Sequence, residues 1–298
     1  MFRILALLLL PVICLAQVNS NGGKPTGELL SNEISPNEMK RNASFNLDEI
    51  KVRWKKAALE NCTGVPCVVT PPPPPAPSFT CGTSTVTDVD GNSYNTVSIG
   101  TGATTQCWTA SNLKVTKYSD GVTPIPDFTT SPNSTWATAV IGARTDYTGA
   151  TGISGAVPSG QTYVSTYGYL YNWFAVNDAK GLCPSGWHVP TDGEWDDLTD
   201  YLGGASLTAG DKMKSPSLLW TQQIVPIVNS SGFTALPGGF RFTDGSFSSI
   251  RSGAFFWSAS VNGTANAWAR YLDASLSSVG RNASFSKLNG VSVRCLRD

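Results

Sequence analysis

The stretch 181–204, "GLCPSGWHVPTDGEWDDLTDYLGG", holds the chain's single histidine, a cysteine, two tryptophans and five acidic side chains. It reads either as an active site or as a corner of scaffold, and its local chemistry favours scaffold. Pro184 and Gly186 make a turn after Cys183. Thr191 is placed to cap a helix, and Glu194, three residues on, completes a capping box in which each side chain satisfies the other residue's free backbone N–H. Trp195, Leu198, Tyr201 and Leu202 recur at three- and four-residue spacing, which predicts a core-facing stripe. Asp192 and Glu194 fall at the positive end of the helix dipole, where anions stabilise. Gly203 and Gly204 end the helix. The acids Asp192, Glu194, Asp196, Asp197 and Asp200 are thereby accounted for as its cap and solvent face. His188, in a turn beside Trp187 and without an evident triad partner, is assigned to the scaffold.

On either side of this helix the pattern is β-rich. "STVTDVDGNSYNTVSIG" (84–100) has two alternating runs around Asp-Gly, a strong hairpin signal. Asp88, Asp90 and Asn92 start like a calcium loop, but Gly91 stands fourth rather than sixth and no Glu follows at the right distance, so a turn is predicted. "GGFRF", "FFWSAS", "AWARYLD", "SVGRNASF" and "GVSVRCLRD" alternate as antiparallel strands do, with Trp257, Trp268, Val293 and Cys295 as core positions. "YGYLYNWFAVND" offers a helix of two or three turns. Residues 118–163, rich in Thr, Gly and Pro, read as a long surface excursion.

Only 14% of the 298 residues are charged, and 21 basic residues balance 21 acidic ones, so nothing predicts a nucleic-acid or anionic-membrane footprint. "MFRILALLLLPVICLAQ" has the positive start, short apolar run and small residues of a secretory signal, with cleavage after Ala16. The run is too short to span a bilayer. Acylation at Cys14 is disfavoured, because Ile13 stands where a lipoprotein peptidase needs a small residue. Residues 17–70 form an N-terminal segment with a basic amphipathic helix at 47–59, a candidate docking element. The prolines of 71–78 predict a stiff extended spacer, and the main domain follows at 79–298. Six cysteines remain after cleavage, which in an exported protein suggests disulfides. Six allow fifteen pairings, so connectivity stays open at this level, although Cys62 and Cys67 could close a small loop. No cysteine–histidine spacing predicts a metal site.

Several stretches resemble a known family, the Fibrobacter succinogenes major paralogous domain: "DVDGNSYNTVSIG", "QCWTASNLK", "YGYLYNWFAV", "CPSGWHVPTDGEW", "GGFRF", "FWSAS" and "SVRCLRD", spread over 81–298. That family looks related to C-type-lectin-like folds and to formylglycine-generating enzymes. The resemblance implies a compact α+β domain with two helices, an antiparallel sheet tying its ends together and long loop insertions. It also implies an exported, non-catalytic binding or surface-interaction module, with a glycan or a cell-surface protein as partner. A structural subunit of a surface appendage is the alternative, and a fold-related enzyme the weaker one. The oxidase relatives use a pair of reactive cysteines near the C-terminus; here Cys295 stands alone, and the resemblance pairs it with Cys183. The other expected bridges are Cys81–Cys107 and Cys62–Cys67. The calcium-dependent lectin motifs are missing, so neither metal nor cofactor is expected. In lectin-like folds the insertion is the recognition face, which places the ligand surface in 205–256, with Trp220 as an exposed aromatic and Arg241, Asp244 and Arg251 beside it.

Overall fold

The computed structural model describes residues 78–148, 150, 156–221 and 227–298. The signal at 1–16, the N-terminal segment with its helix at 47–59, the Cys62–Cys67 pair and all of the proline spacer except Ser78 lie outside the described residues. The fold is α+β and sheet-rich, built on two five-stranded sheets.

The first sheet begins with the expected hairpin, β1 (Thr85–Thr87) and β2 (Ser93–Ile99). The Asp88 carboxylate accepts the N–H groups of Asp90 and Asn92 at 3.0 and 2.9 Å, so the side chain closes the turn. Gly91 sits at φ +83°, where a residue with a Cβ is strained. β3 (Gln106–Thr109) pairs with β2. The last strand, β12 (Leu296–Arg297), inserts between β3 and β6 (Trp187–His188), with Leu296 opposite both Trp108 and His188. The late strand thus ties the start of the domain to its middle, as the family resemblance implied.

The second sheet runs β11 (Val279–Ser286), β10 (Asn266–Asp273), β9 (Gly253–Asn262), β7 (Gly238–Arg241), β8 (Phe247–Ile250). It is not wholly antiparallel, because β7 meets β9 in parallel at Gly239–Ala254. A two-stranded ribbon, β4 (Arg144–Thr145) and β5 (Leu170–Tyr171), completes the strands.

Five α-helices replace the expected two among the described residues, four of them a single turn or little more: α1 (Asn133–Ala137), α2 (Tyr163–Tyr167), α3 (Trp173–Val176) and α5 (Ala209–Met213). The long one, α4 (Asp192–Tyr201), carries the capping box drawn from its sequence: Thr191 Oγ1 accepts the Glu194 N–H, and Glu194 Oε2 accepts the Thr191 N–H at 2.7 Å. Of the helix expected in "YGYLYNWFAVND" only α3 forms, since Leu170–Tyr171 is strand β5. The Asn172 side chain accepts from Ala143 N and Ala175 N and donates to Ile141 O, so it caps α3 and binds a neighbouring loop. In 118–163 most described residues are exposed or half-buried, as expected of a surface excursion, but Tyr118, Trp136 and Tyr147 are buried and anchor it.

Trp195, Trp257, Val293 and Cys295 are fully buried, as predicted. Two core assignments are corrected. Tyr201 is 49% exposed. Trp268 is half-buried and lies under the Arg281 guanidinium, 3.8 Å from the ring centre. A register shift between Ala267 and Ala269 leaves Trp268 unpaired and turns it outward. The two expected bridges within the described residues are formed: Cys81–Cys107 and Cys183–Cys295, the latter spanning 112 residues.

Three stability outcomes follow. Thr191→Ala is expected to cost about 1 kcal/mol in a denaturant melt through loss of the cap. Trp195→Ala is expected to cost about 3–5 kcal/mol, since the ring is fully buried; a melt matching wild type would show that this face does not carry the core. A closed loop of this length corresponds to about 4–5 kcal/mol of denatured-state entropy, so reducing Cys183–Cys295 should lower the midpoint more than reducing Cys81–Cys107, which spans 26 residues.

Candidate functional site

Two of the side chains expected to form the ligand surface in 205–256 are buried. Trp220 is only 4% exposed; its ring lies in the core with Trp195, Phe233 and Phe256, and its indole N–H donates to Ala235 O at 3.2 Å. Arg241 is 1% exposed. It donates to Gly245 O, Phe128 O, Thr145 Oγ1 and Asn133 Oδ1, and it stacks on Trp136 and Phe247. Asp244 is exposed, but it caps its own turn by accepting from Ser246 N and Oγ, and these bonds hold its carboxyl below the ordinary range. Arg251 adopts φ +68° at a backbone junction, where its carbonyl accepts from Thr221 N and its N–H donates to Pro237 O. Trp220 and Arg241 are therefore structural, while Phe242 is 42% exposed, with its ring edge-on to Phe240.

A different surface is open to solvent. The outer face of α4, the turn 103–107 beside the Cys81–Cys107 bridge, and β12 enclose a groove of about 740 Å³. Glu194, Asp197, Asp200 and Tyr201 line it from the helix, and Arg297 and Asp298 from the last strand. Helical geometry explains the division of labour. Residues advance by about 100° each, so Glu194, Asp197 and Tyr201 share one flank of α4 while Asp192 and Asp196 share the other. On that other flank the acids are not a free solvent face. Asp192 is buried, and with Asp196 it binds the fully buried Arg270 at 2.5 and 2.6 Å; Arg281 also pairs with Asp192. Burial alone would raise the Asp192 pKa, but Arg281 and Arg270 outweigh it and hold the carboxyl below the ordinary range.

His188 contacts two of the residues that line this groove, partners that sequence spacing did not reveal. Its Nδ1 lies 2.6 Å from Asp298 Oδ1 and its Nε2 lies 3.0 Å from Glu194 Oε1. Burial acts to lower the imidazole pKa, but the hydrogen bonds from Asp298 and Glu194 win and raise it. Glu194 moves the opposite way. Burial would raise its pKa, and the Thr191 and His188 hydrogen bonds bring it down. With a carboxylate on each nitrogen, the ring favours the imidazolium form, a double donor. Among the described residues no cluster of His, Cys, Asp or Glu is arranged to hold a metal ion.

Sequence reasoning missed Asp298 and the outward turn of Tyr201, and it missed the buried cations Lys214, Arg270 and Arg294. Lys214 donates to Asp273 O and Leu276 O, and Arg294 to Asn112 Oδ1, Thr109 O, Phe233 O and Thr234 O. Only the helical angle of Tyr201 was available as a signal. Trp220→Ala is now expected to destabilise by about 3–5 kcal/mol, read as a lowered denaturant midpoint; an unchanged midpoint would return Trp220 to the surface.

The family model described as the Fibrobacter succinogenes major domain matches residues 97–297. No curated protein and no solved structure gives a significant match.

Proposed function

The chain belongs to the Fibrobacter succinogenes major domain family, and from that premise we propose that it is an exported, non-catalytic binding module of lectin-like build, with carbohydrate as its ligand and the α4 groove as its site. The observation that carries this reading is the composition of the groove's open flank. Tyr201 is 49% exposed at its rim. Asp197 and Asp200 line it too, and among the described residues neither carboxylate is paired with a cation. An aromatic face stacks on the apolar face of a pyranose, and unpaired carboxylate oxygens accept hydrogen bonds from sugar hydroxyls. A concave site with a few convergent polar groups is the usual form of such recognition. Two disulfides among the described residues fit an oxidising compartment, and no helix among those residues is long and apolar enough to cross a membrane.

Binding rather than catalysis is supported by the direction of the titrations. Glycoside cleavage needs a carboxylic acid with a raised pKa to protonate the leaving oxygen. Glu194, the groove carboxylate most engaged with its surroundings, is pushed down instead. A glycan array probed with the full chain and with Tyr201→Ala tests the proposal. Loss of the ring is expected to weaken binding by about 1–3 kcal/mol, the size typical of an aromatic anchor, with the melting temperature unchanged. Equal binding by wild type and Tyr201→Ala, or no glycan bound by either, would remove the groove as a carbohydrate site.

A further inference from the structure

We propose that His188, gripped between Glu194 and Asp298, is a protonation-gated clamp that sets the shape of one end of the groove. As a regulatory role this rests on the groove being the ligand site; as a piece of geometry it does not. Three elements meet at the ring. β6 supplies His188, the first turn of α4 supplies Glu194, and β12 leads into Asp298. Both carboxylates line the groove, so whatever holds them shapes it. The charged groups facing the imidazole are these two. The neighbouring cation, Arg297, stacks over the Phe79 ring at 4.1 Å.

The protonated ring donates from both nitrogens and satisfies both carboxylates. A neutral imidazole has only one N–H. Its other nitrogen then turns a lone pair toward a carboxylate, and one contact must open. Glu194 is the fixed partner, since Oε2 also accepts from Thr191 N and Oγ1 at 2.7 and 2.8 Å. Asp298 is the free one: its side chain is 60% exposed, and among the described residues His188 is its one side-chain partner. Loss of the proton therefore releases Asp298 into the groove. The sign is fixed by the directions of the shifts. The raised imidazole contributes stability that is fully present below the ordinary value of 6.5 and is lost as pH rises through the folded-state midpoint. Glu194, shifted down, contributes above its ordinary value of 4.5 and loses that contribution as pH falls through its own folded-state midpoint. Both are in place between those two ordinary values, where the clamp is closed.

The chain has one histidine, so a nitrogen-15-labelled full chain, purified without a histidine tag, gives one imidazole titration by NMR. The expected midpoint lies above 6.5, Asp298→Asn lowers it, and the Asp298 backbone amide shifts with the same midpoint in wild type. A midpoint at or below 6.5, no change in Asp298→Asn, or an Asp298 amide indifferent to that midpoint overturns the clamp. Asp298→Asn alters an exposed side chain and is expected to fold; if it does not, Glu194→Asp, which lengthens the reach to His188, must lower the midpoint in its place. The glycan array read at pH 5.5 and 8.5 separates the two proposals. A wild-type signal that changes between these values, and does so no longer in His188→Gln, supports regulation. A signal equal at both overturns it, and an empty array removes the groove reading while the clamp is decided by the titration alone.

Discussion

Arg270 has no exposure to solvent, and its guanidinium finds its counter-charges on one helix. It reaches Asp192 and Asp196 from β10, in the second sheet, and so pins the first two turns of α4 against that sheet. A buried cation deprived of its partner costs about 3–5 kcal/mol, so α4 can neither slide nor rotate without a large penalty. Its rotation then decides everything around it. Trp195, Leu198 and Leu202 are delivered to the core, where Trp195 packs on Trp108 and Phe256. The opposite flank, with Glu194, Asp197 and Tyr201, is delivered to the groove. Arg281 reinforces the pin by joining Asp192 while it covers Trp268.

Buried cations recur for a general reason. A chain with short strands and many loops leaves backbone carbonyls that no helix or sheet satisfies, and a buried unpaired carbonyl is costly. Guanidinium groups with five donors answer that need. Arg294 binds three carbonyls, those of Thr109, Phe233 and Thr234, and stacks on Phe233 at 4.4 Å. Arg241 does the same for Gly245 and Phe128, and Lys214 for Asp273 and Leu276. The chain is poor in charge overall, yet it spends several of those charges inside as cross-links between loops.

This explains what was legible in the sequence. The Asp-Gly hairpin, the capping box of α4 and the alternation of β9 to β11 depend on residues within a few positions of each other, and they could be read directly. Tyr201 is an instructive miss. Spacing of three from Leu198 looked apolar and helical, but the core direction set by Trp195, Leu198 and Leu202 lies about 90° from it around the helix axis. Trp268 was lost to a bulge, which local alternation does not announce. Arg241 was out of reach, since its partners Phe128, Thr145 and Asn133 lie 113, 96 and 108 residues away. Its cluster with Trp220 and Arg251 suggested a recognition loop only because glycine- and serine-rich sequence was equated with exposure.

Which side chains of α4 stay open follows from the same accounting. An aromatic ring or a cation can serve recognition only if the fold has not already used it. In 205–256 the fold has used Trp220, which fills the core, Arg241 and Lys214, which satisfy carbonyls, and Asp244, which closes its own turn. On α4 the situation is reversed. The capping box and the Arg270 pin need only Asp192, Glu194 and Asp196, which leaves Asp197, Asp200 and Tyr201 exposed. A helix held so firmly on one flank presents the groups of its other flank with little conformational entropy left to lose, the pre-organisation that lowers the cost of ordering a site.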